Sequence, residues 1–472
     1  MIPLAPSVAL LLEMFAMLFS NRWIARWQQA AAGPVNPPGT AGRFYQRIFS
    51  LRVTLWYLIY QRLNFDSTLA AVVTDVRRGG ADRLGRGGRK LSTRVRSTKT
   101  GAYNQARQRL PLELLVAALA HLGTLLCKQV GYKPAPKCRP GPADLLRQLL
   151  DGSTLAILAT PALVRAFPPA RNRNGPSDWC LLRILVGFCA RSGAILSAVS
   201  GPVQCSEQAL AWTLMAQARA FTLWIGDRNF GVWSVVAAAV HQHQDVVVRM
   251  TKTRARKRCA GRPMRSGEDR PVTWEPSRHD QTAPGVPRKA VVGRLIYVRL
   301  CKAGRYIDLW LFTTLPADDY PVALLVAWYG QRWQAEMHFR SVKTQLKMAE
   351  LDVATPQMAR KEFYAGLLAY SLVRAVMWSA GERLEGRIQA LSFSQARRIL
   401  NTRLQDWGCG RFDAAEQWAQ EMVEEIAEHT LPKRRKPRRS EVRRVRHRRQ
   451  KFPPLIGSRA AARRLELTTK SM

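Results

Sequence analysis

The sequence predicts a mixed α/β fold, one sheet covered by helices. Three observations carry that expectation. Apolar runs of strand length recur from residue 151 onward, a helix-period segment separates them, and the short run "TLWIG" (222–226) ends directly on an acid, Asp227. "DGSTLAILAT" (151–160) reads as the first strand, with Asp151 at its start. "CLLRILVGFCA" (180–190) and "AILSAVSGP" (194–202) read as two more, with "RSG" as the turn between them. "SEQALAWTLMAQARAF" (206–221) is helix-like, with Ser206 as its cap. After the strand at 222–226 the segment "FGVWSVVAAAVHQH" reads as a helix.

Further strands are expected at 245–250, 289–300 and 306–315, inside an interruption between Asp227 and Glu336. The stretch 251–288, rich in Arg, Pro and Gly, reads as a basic loop. Beyond it, helices are expected near 356–380, 393–406 and 412–430. On the N-terminal side, residues 1–20 read as an amphipathic or buried helix: Glu13 interrupts the apolar run and no basic segment precedes it. Residues 33–42 read as a linker, 43–75 as helical, and 110–126 as a further helix. The Gly-rich segment 77–109 carries eleven Lys and Arg and would either grip a duplex or lie as a solvated linker. No run of 18 uninterrupted apolar residues occurs, so no transmembrane span is expected.

Charge narrows the function. Lys and Arg number 74 against 33 Asp and Glu, for a formal net charge of +41. Such a field binds polyanions, with nucleic acid as the leading partner and a membrane surface as the weaker one. The segment 433–451 holds twelve of these cations and reads as a solvated tail. Eight cysteines form no CxxC pair and no zinc-finger spacing, which favours a reduced, intracellular protein with structural thiols.

Against that background the acid in "YGQRWQAEMHFRSVK" (329–343) stands out. On a continuous helix turning about 100° per residue, Tyr329, Arg332, Glu336, Arg340, Lys343 and Lys347 share an arc of about 80°. The stripe reads either as a solvated face with i,i+4 ion pairs of ~0.2–0.5 kcal/mol each, or as an acidic site that grips a polyanion. Asp151, Asp227 and Glu336 could converge from two strands and a helix. Three acids close together repel, and a hard divalent cation relieves that repulsion. Mg²⁺ takes a few carboxylates and leaves room for water and phosphate, and two such ions suit phosphodiester chemistry.

The spacing Tyr329, Arg332, Glu336, Lys343, preceded in order by "DGST" and "GDRNF", resembles the signature of the DDE transposases of bacterial insertion sequences, specifically the insertion-sequence-four family. "STKTGAYNQARQRLP" (97–111) and "LDVATPQMARKEFYAGLLAYSLVR" (351–374) also look like the flanking segments of that family, and the likeness spans roughly 43–430. The resemblance implies an RNase H-like mixed-sheet catalytic core with a β-rich insertion before the catalytic Glu, flanked by helical N- and C-terminal regions. It implies Asp151, Asp227 and Glu336 as a triad holding two Mg²⁺ or Mn²⁺ ions, and Tyr329, Arg332 and Lys343 as contacts to DNA, joined on the same stripe by Arg340 and Lys347. Trp310 looks like a Trp that stacks on a displaced base in some relatives; a core Trp of a strand is the other reading. In "DRNF" the third slot, often Gly in that family, holds Asn229, a residue that tolerates left-handed backbone angles.

The implied organisation is an N-terminal helix and linker (1–42), a helical DNA-binding region with a basic loop (43–145), the first part of the core (146–244), the insertion (245–317), the second part of the core with the catalytic helix (318–380), a C-terminal helical region (381–431) and a basic tail (432–472). The implied function is a DNA transposase of the bacterial cytoplasm, associated with the nucleoid. It would bind double-stranded DNA at its element ends and target, as a homodimer when two ends are paired, with no membrane. A nuclease or recombinase without strand transfer, or an inactive DNA-binding relic, are the alternatives.

Overall fold

A computed structural model describes residues 11–32, 48–85, 90–132, 138–172, 175–176, 179–302, 305–408 and 415–431, and residues 458, 460, 461 and 464. The expected linker at 33–42, the basic tail at 433–451 and part of the 77–109 loop lie outside the described residues.

Six helices precede the sheet: α1 (Leu11–Leu18), α2 (Asn21–Ala32), α3 (Leu51–Leu63), α4 (Leu69–Arg77), α5 (Gly101–Arg109) and α6 (Leu112–Gln129). The apolar N-terminal run forms α1 as a buried helix, with Phe15 and Phe19 fully enclosed and Phe15 packed 5.2 Å from the Trp56 ring of α3. Ser50 caps α3 by accepting from the Val53 N–H.

The chain then enters β1 (Leu146–Ile157), crosses α7 (Pro161–Ala166), and runs through β2 (Cys180–Cys189), β3 (Ile195–Pro202), α8 (Glu207–Gln217), β4 (Thr222–Gly226), α9 (Trp233–His241) and β5 (Asp245–Arg249). An excursion follows, α10 (Lys252–Arg258), β6 (Glu268–Trp274), β7 (Val291–Lys302) and β8 (Arg305–Thr313). Then come α11 (Val322–Gly330), α12 (Trp333–Arg340), a π turn (Ser341–Gln345), β9 (Glu350–Leu351), α13 (Pro356–Glu382), α14 (Phe393–Gly408) and α15 (Ala415–Glu428).

Nine strands make one sheet in the order β3-β2-β1-β4-β5-β8-β7-β6, with β9 paired to the end of β1. β2 runs antiparallel to both β1 and β3, whereas β4 pairs parallel with β1 and β5 parallel with β4. That order and those directions are the RNase H-like core. The β2–β3 turn needs Gly193, which has φ +71 and where a Cβ would come within 2.5 Å of the His338 ring. One face of the sheet packs on α8 and α9 through Leu150, Leu185, Trp224 and Leu214. The other packs on α13 and the N-terminal helices through Leu149, Phe188, Ile225 and Tyr370.

Four expectations change. β1 begins at Leu146, five residues before Asp151, so that acid sits mid-strand; Arg147 and Gln148 had hidden the strand character of "LLRQLL". β5 pairs parallel with β4, so 245–249 belongs to the core and the excursion begins after it; periodicity names a strand but not its partner. Within 251–288 lie a helix and a strand, α10 and β6. β6 contains Pro271, which is tolerated because β6 is the last strand of the sheet and needs no donor on its outer side. The helical region around 48–132 is not a separate module, since its apolar residues join the same core as α13 and the sheet.

Helices α6 and α13 are long and apolar enough to cross a membrane by length and composition, and most of α13 is buried within the protein. It is the axial helix of the fold. Its Glu362 receives Arg62 of α3 and Arg107 of α5, and the neighbouring Lys361 donates to the Gln108 carbonyl at 2.7 Å.

Candidate active site

Strand register brings the first two acids together. β1 and β4 run parallel with Leu149 beside Ile225 and Leu150 beside Gly226. One step further places Asp151 level with Asp227, on neighbouring strands about 4.8 Å apart and on the same face. That face is the one covered by α12, since Leu149 and Ile225 turn toward that side while Leu150 and Trp224 turn away.

Asp151 is half-buried, and its carboxyl accepts from the Gly152 N–H at 3.0 Å. Burial pushes its pKa up to about 6; the Gly152 N–H and Arg332 oppose the rise, while Asp227 and Glu336 add to it. Asp227 follows β4 directly, and its Oδ1 accepts from the Asn229 N–H at 2.8 Å, closing an Asx turn. Glu336 lies in the first turn of α12 with its side chain 63% exposed. It accepts from Arg332 Nη2 at 2.8 Å. Burial lowers the pKa of Arg332, but Glu336, Tyr329 and Asp151 more than offset this and raise it overall. The guanidinium is therefore the positive charge around which the acids gather.

Tyr329 is partly buried, and burial is the main cause of its raised pKa, with Arg332 and Arg249 lowering it and Asp227 raising it. Lys343 donates to Ser153 Oγ at 3.2 Å, two residues along β1 from Asp151. Arg340 is exposed at the end of α12. Two expected contacts lie elsewhere. Lys347 has φ +54 and donates to the Phe65 carbonyl at 2.9 Å, toward the N-terminal helices. Trp310 is only 8% exposed and stacks on Tyr297 at 4.2 Å between ring centres, which is the core reading of that residue.

The stripe expected on one continuous helix is built differently. α11 ends at Gly330, Gln331 and Arg332 form a turn, α12 ends at Arg340, and the next five residues wind as a π turn. A π turn advances the chain by fewer degrees per residue, so the phase calculated for Lys347 fails. Pro321 is the N-cap of α11.

Sequence reasoning missed two features. Gly226 pairs with Val248, so Arg249 at the end of β5 stands level with Asp227, on its other side from Asp151. Only knowledge of the strand partner reveals it. The second is a brace behind the acids. Asn229 Nδ2 donates to Glu207 Oε2 at 2.7 Å, and Gln208 Nε2 donates to the Asn229 carbonyl at 3.0 Å. Glu207 in turn fills the space beside Gly152, where a Cβ would lie 2.5 Å from its carboxyl carbon. Asn229 does not adopt a left-handed backbone. Its side chain, rather than its φ tolerance, explains its presence: it fastens the Asp227 turn to α8.

Among the described residues no three His, Cys, Asp or Glu side chains stand close enough to hold one ion as they are arranged. Glu336 is turned to Arg332 instead, the expected conformation for an exposed acid beside an unscreened guanidinium.

Residues 147–372 match the family model described as the transposase DDE domain. Over that stretch, slightly less than half of the chain, it is similar to transposases with a DDE domain. Over 305 residues the chain is 26% identical to transposase InsG for insertion sequence element IS4 of Escherichia coli, covering 62% of this chain and 65% of that relative. It is also 31% identical over 81 residues to the transposase for insertion sequence element IS421 of Escherichia coli, covering 17% of this chain and 21% of the relative. The chain thus spans slightly less than two thirds of the length of the IS4 relative. Among solved structures it resembles a piggyBac transposase synaptic complex with hairpin DNA at a TM-score of 0.38 and 11% identity, over 91% of this chain and 86% of that one. That likeness is too slight to bear on the fold.

The brace yields an expected result. Asn229→Ala removes the tie from the Asp227 turn to Glu207 and is expected to weaken divalent-ion binding by roughly 10–100-fold, the usual effect of losing an outer partner, with little change in melting temperature. Titration calorimetry with Mn²⁺ checks it. Unchanged Mn²⁺ affinity would leave the brace a purely structural contact.

Proposed function

We propose that this chain is a DNA transposase that binds the terminal inverted repeats of its own insertion sequence and catalyses metal-dependent strand cleavage and strand transfer. The observation that supports it most is the in-register pair Asp151 and Asp227, with Glu336 and Arg332 standing over it. A half-buried carboxyl raised to about 6 by desolvation, with two neighbouring acids adding to the rise, marks a site where Arg332 alone does not balance the negative charge. All three donors are hard oxygen ligands, which suits Mg²⁺ or Mn²⁺. Asp151, Asp227 and Glu336 would hold the ions, with Glu336 rotating off Arg332 to do so. When bound, the ions supply charge neutralisation and activation of the attacking oxygen at phosphorus.

The remaining work belongs to the chain. Arg332, released from Glu336, clamps a phosphate through two parallel N–H groups, whereas Lys343 acts as a point charge beside β1. Arg249 and Tyr329 close the other side of Asp227 and hold the neighbouring phosphate. In-line attack by water on one strand leaves a free 3′-hydroxyl. That hydroxyl then attacks a second phosphodiester, on the opposite strand or in target DNA, and the displaced 3′ oxygen leaves with the proton. Positioning and charge neutralisation supply the catalysis. Two copies of the chain pair two DNA ends, and the reaction takes place on DNA in the bacterial cytoplasm.

Joining of a precut end to plasmid DNA tests the reading directly. Nicking without joining would make the protein a nuclease, and binding without nicking a relic. A second expected result needs no DNA. The pKa of Asp151 is raised, so its folded form holds the proton more tightly than the unfolded chain, and its contribution to stability falls as pH rises from about 4 to about 6. Bound Mg²⁺ reverses this by favouring the ionised form. Mg²⁺ is therefore expected to raise the melting temperature above pH ~7 and to lose that effect below pH ~5. Scanning calorimetry at both pH values checks it, and Asp151→Asn should lose the Mg²⁺ response.

A further inference from the structure

Helix α10, "KTRARKR" from Lys252 to Arg258, divides its cations between two faces. On the inner face every cation has a structural task. Arg254 Nη1 donates to the carbonyls of Arg228 and Gly231, both at 3.1 Å, in the turn that follows Asp227. Arg258 lies over the Trp274 ring at 5.0 Å and donates to the Glu275 carbonyl at 3.5 Å. Ala255 and Cys259 between them are buried. On the outer face Lys252, Arg256 and Lys257 are exposed, and none forms an ion pair among the described residues. With Thr253 and Gly261 they line an open cleft of about 420 Å³. Asp308 feels the charge of Lys252, but its carboxylate is already bonded to Tyr297 and Arg299.

We propose that this outer face is a docking site for the phosphodiester backbone of DNA, and that it holds the phosphates next to the cut. The proposal rests on the transposase reading above and adds to it a place and a register. An unneutralised, exposed triad of cations at i, i+4 and i+5 offers a row of charges to a polyanion. The inner face fixes where that row lies. Through Arg254, α10 is fastened to the backbone of the Asp227 turn, so a strand seated on Lys252, Arg256 and Lys257 is referenced to the acids rather than to a distant loop. The turn held by Arg254 is also seated on the end of β5, since a Cβ at Gly231 would lie 2.2 Å from the Arg249 carbonyl. Neutral or acidic ligands find no partner here.

The experiment compares the full chain with a triple variant, Lys252→Ala, Arg256→Ala and Lys257→Ala, on a duplex carrying the terminal repeat that flanks the gene. All three side chains are exposed, so the melting temperature serves as the control for folding. Each lost phosphate contact is expected to flatten the dependence of log affinity on log salt by roughly 0.9, up to about 2.7 for three. Methylphosphonate substitution beside the scissile bond should weaken the wild type more than the triple variant, which keeps only the contacts of Arg332, Lys343 and Arg249 there, while substitution far from the cut should weaken both equally. An unchanged salt slope, or equal sensitivity of both proteins at every phosphate, overturns the proposal. A wild type that nicks the duplex while the variant keeps the full slope defeats this proposal alone. A wild type that neither binds nor nicks it defeats the transposase reading as well.

Discussion

Asp227→Ala is expected to abolish strand nicking while leaving DNA binding in place. Asp227 directly follows β4, whose register with β1 and β5 sets it level with Asp151 on one side and Arg249 on the other. Its loss removes a charge on which ion binding depends, and the rate should fall by at least the roughly 10²–10³-fold that loss of a single transition-state contact costs. The fold should survive, because Asp227 closes only its own turn, through the Asn229 N–H. Nicking of a supercoiled plasmid bearing the end, alongside a gel-shift measurement, separates the two effects. A variant that nicks at the wild-type rate removes Asp227 from the chemistry and with it the proposed triad.

The second large effect is on stability. Glu362 is fully buried and receives both Arg62 and Arg107. Burial alone would raise its pKa, but the two guanidinium groups overcome this and hold it below the ordinary value. Glu362→Ala leaves two cations without a partner inside the protein, and the loss should be about 3–5 kcal/mol. Glu362→Gln keeps the shape, loses the charge and should fall between the two. The sign with pH follows from the depressed pKa: the contribution is present in full above the unfolded value of about 4.3 and is lost as pH falls through the lower folded value. Denaturant unfolding of wild type and variants at neutral and acid pH checks both statements, and a variant as stable as the wild type refutes them.

Much of the architecture could be read from residues. Strand and helix periods gave the order of elements from 180 to 241, because β2, β3 and β4 are apolar, bounded by turn residues and nearly free of internal charge. Ser206 signalled the start of α8, and its hydroxyl does accept from the Ala209 N–H at 3.1 Å. What failed was whatever depends on a partner far along the chain. β5 looked like the strands of the excursion, and only its parallel pairing with β4 assigns it to the core. β6, rich in charge and broken by Pro271, has no strand signature apart from its place at the sheet edge. Of the proposed site, Asp151, Asp227, Glu336 and Arg332 stood out in the sequence because they are charged and oddly placed. Arg249 and Glu207 were not, since each carries meaning only through a neighbour 22 residues away, as in the pairs Arg249 with Asp227 and Glu207 with Asn229. Trp310 was read ambiguously because an aromatic on a strand looks the same in a core as beside a ligand.

The way the excursion joins the core has a consequence for how such chains diversify. β8 returns antiparallel to β5, with Leu311 beside Arg249 and Thr313 beside Val247. The path thus departs and comes home at adjacent points, about 5.5 Å apart between paired α-carbons. Everything between could be lengthened, shortened or exchanged without widening the doorway, because the two jambs are pinned by hydrogen bonds of their own. The sheet is then a fixed socket, and the segment plugged into it is free to vary in length and sequence.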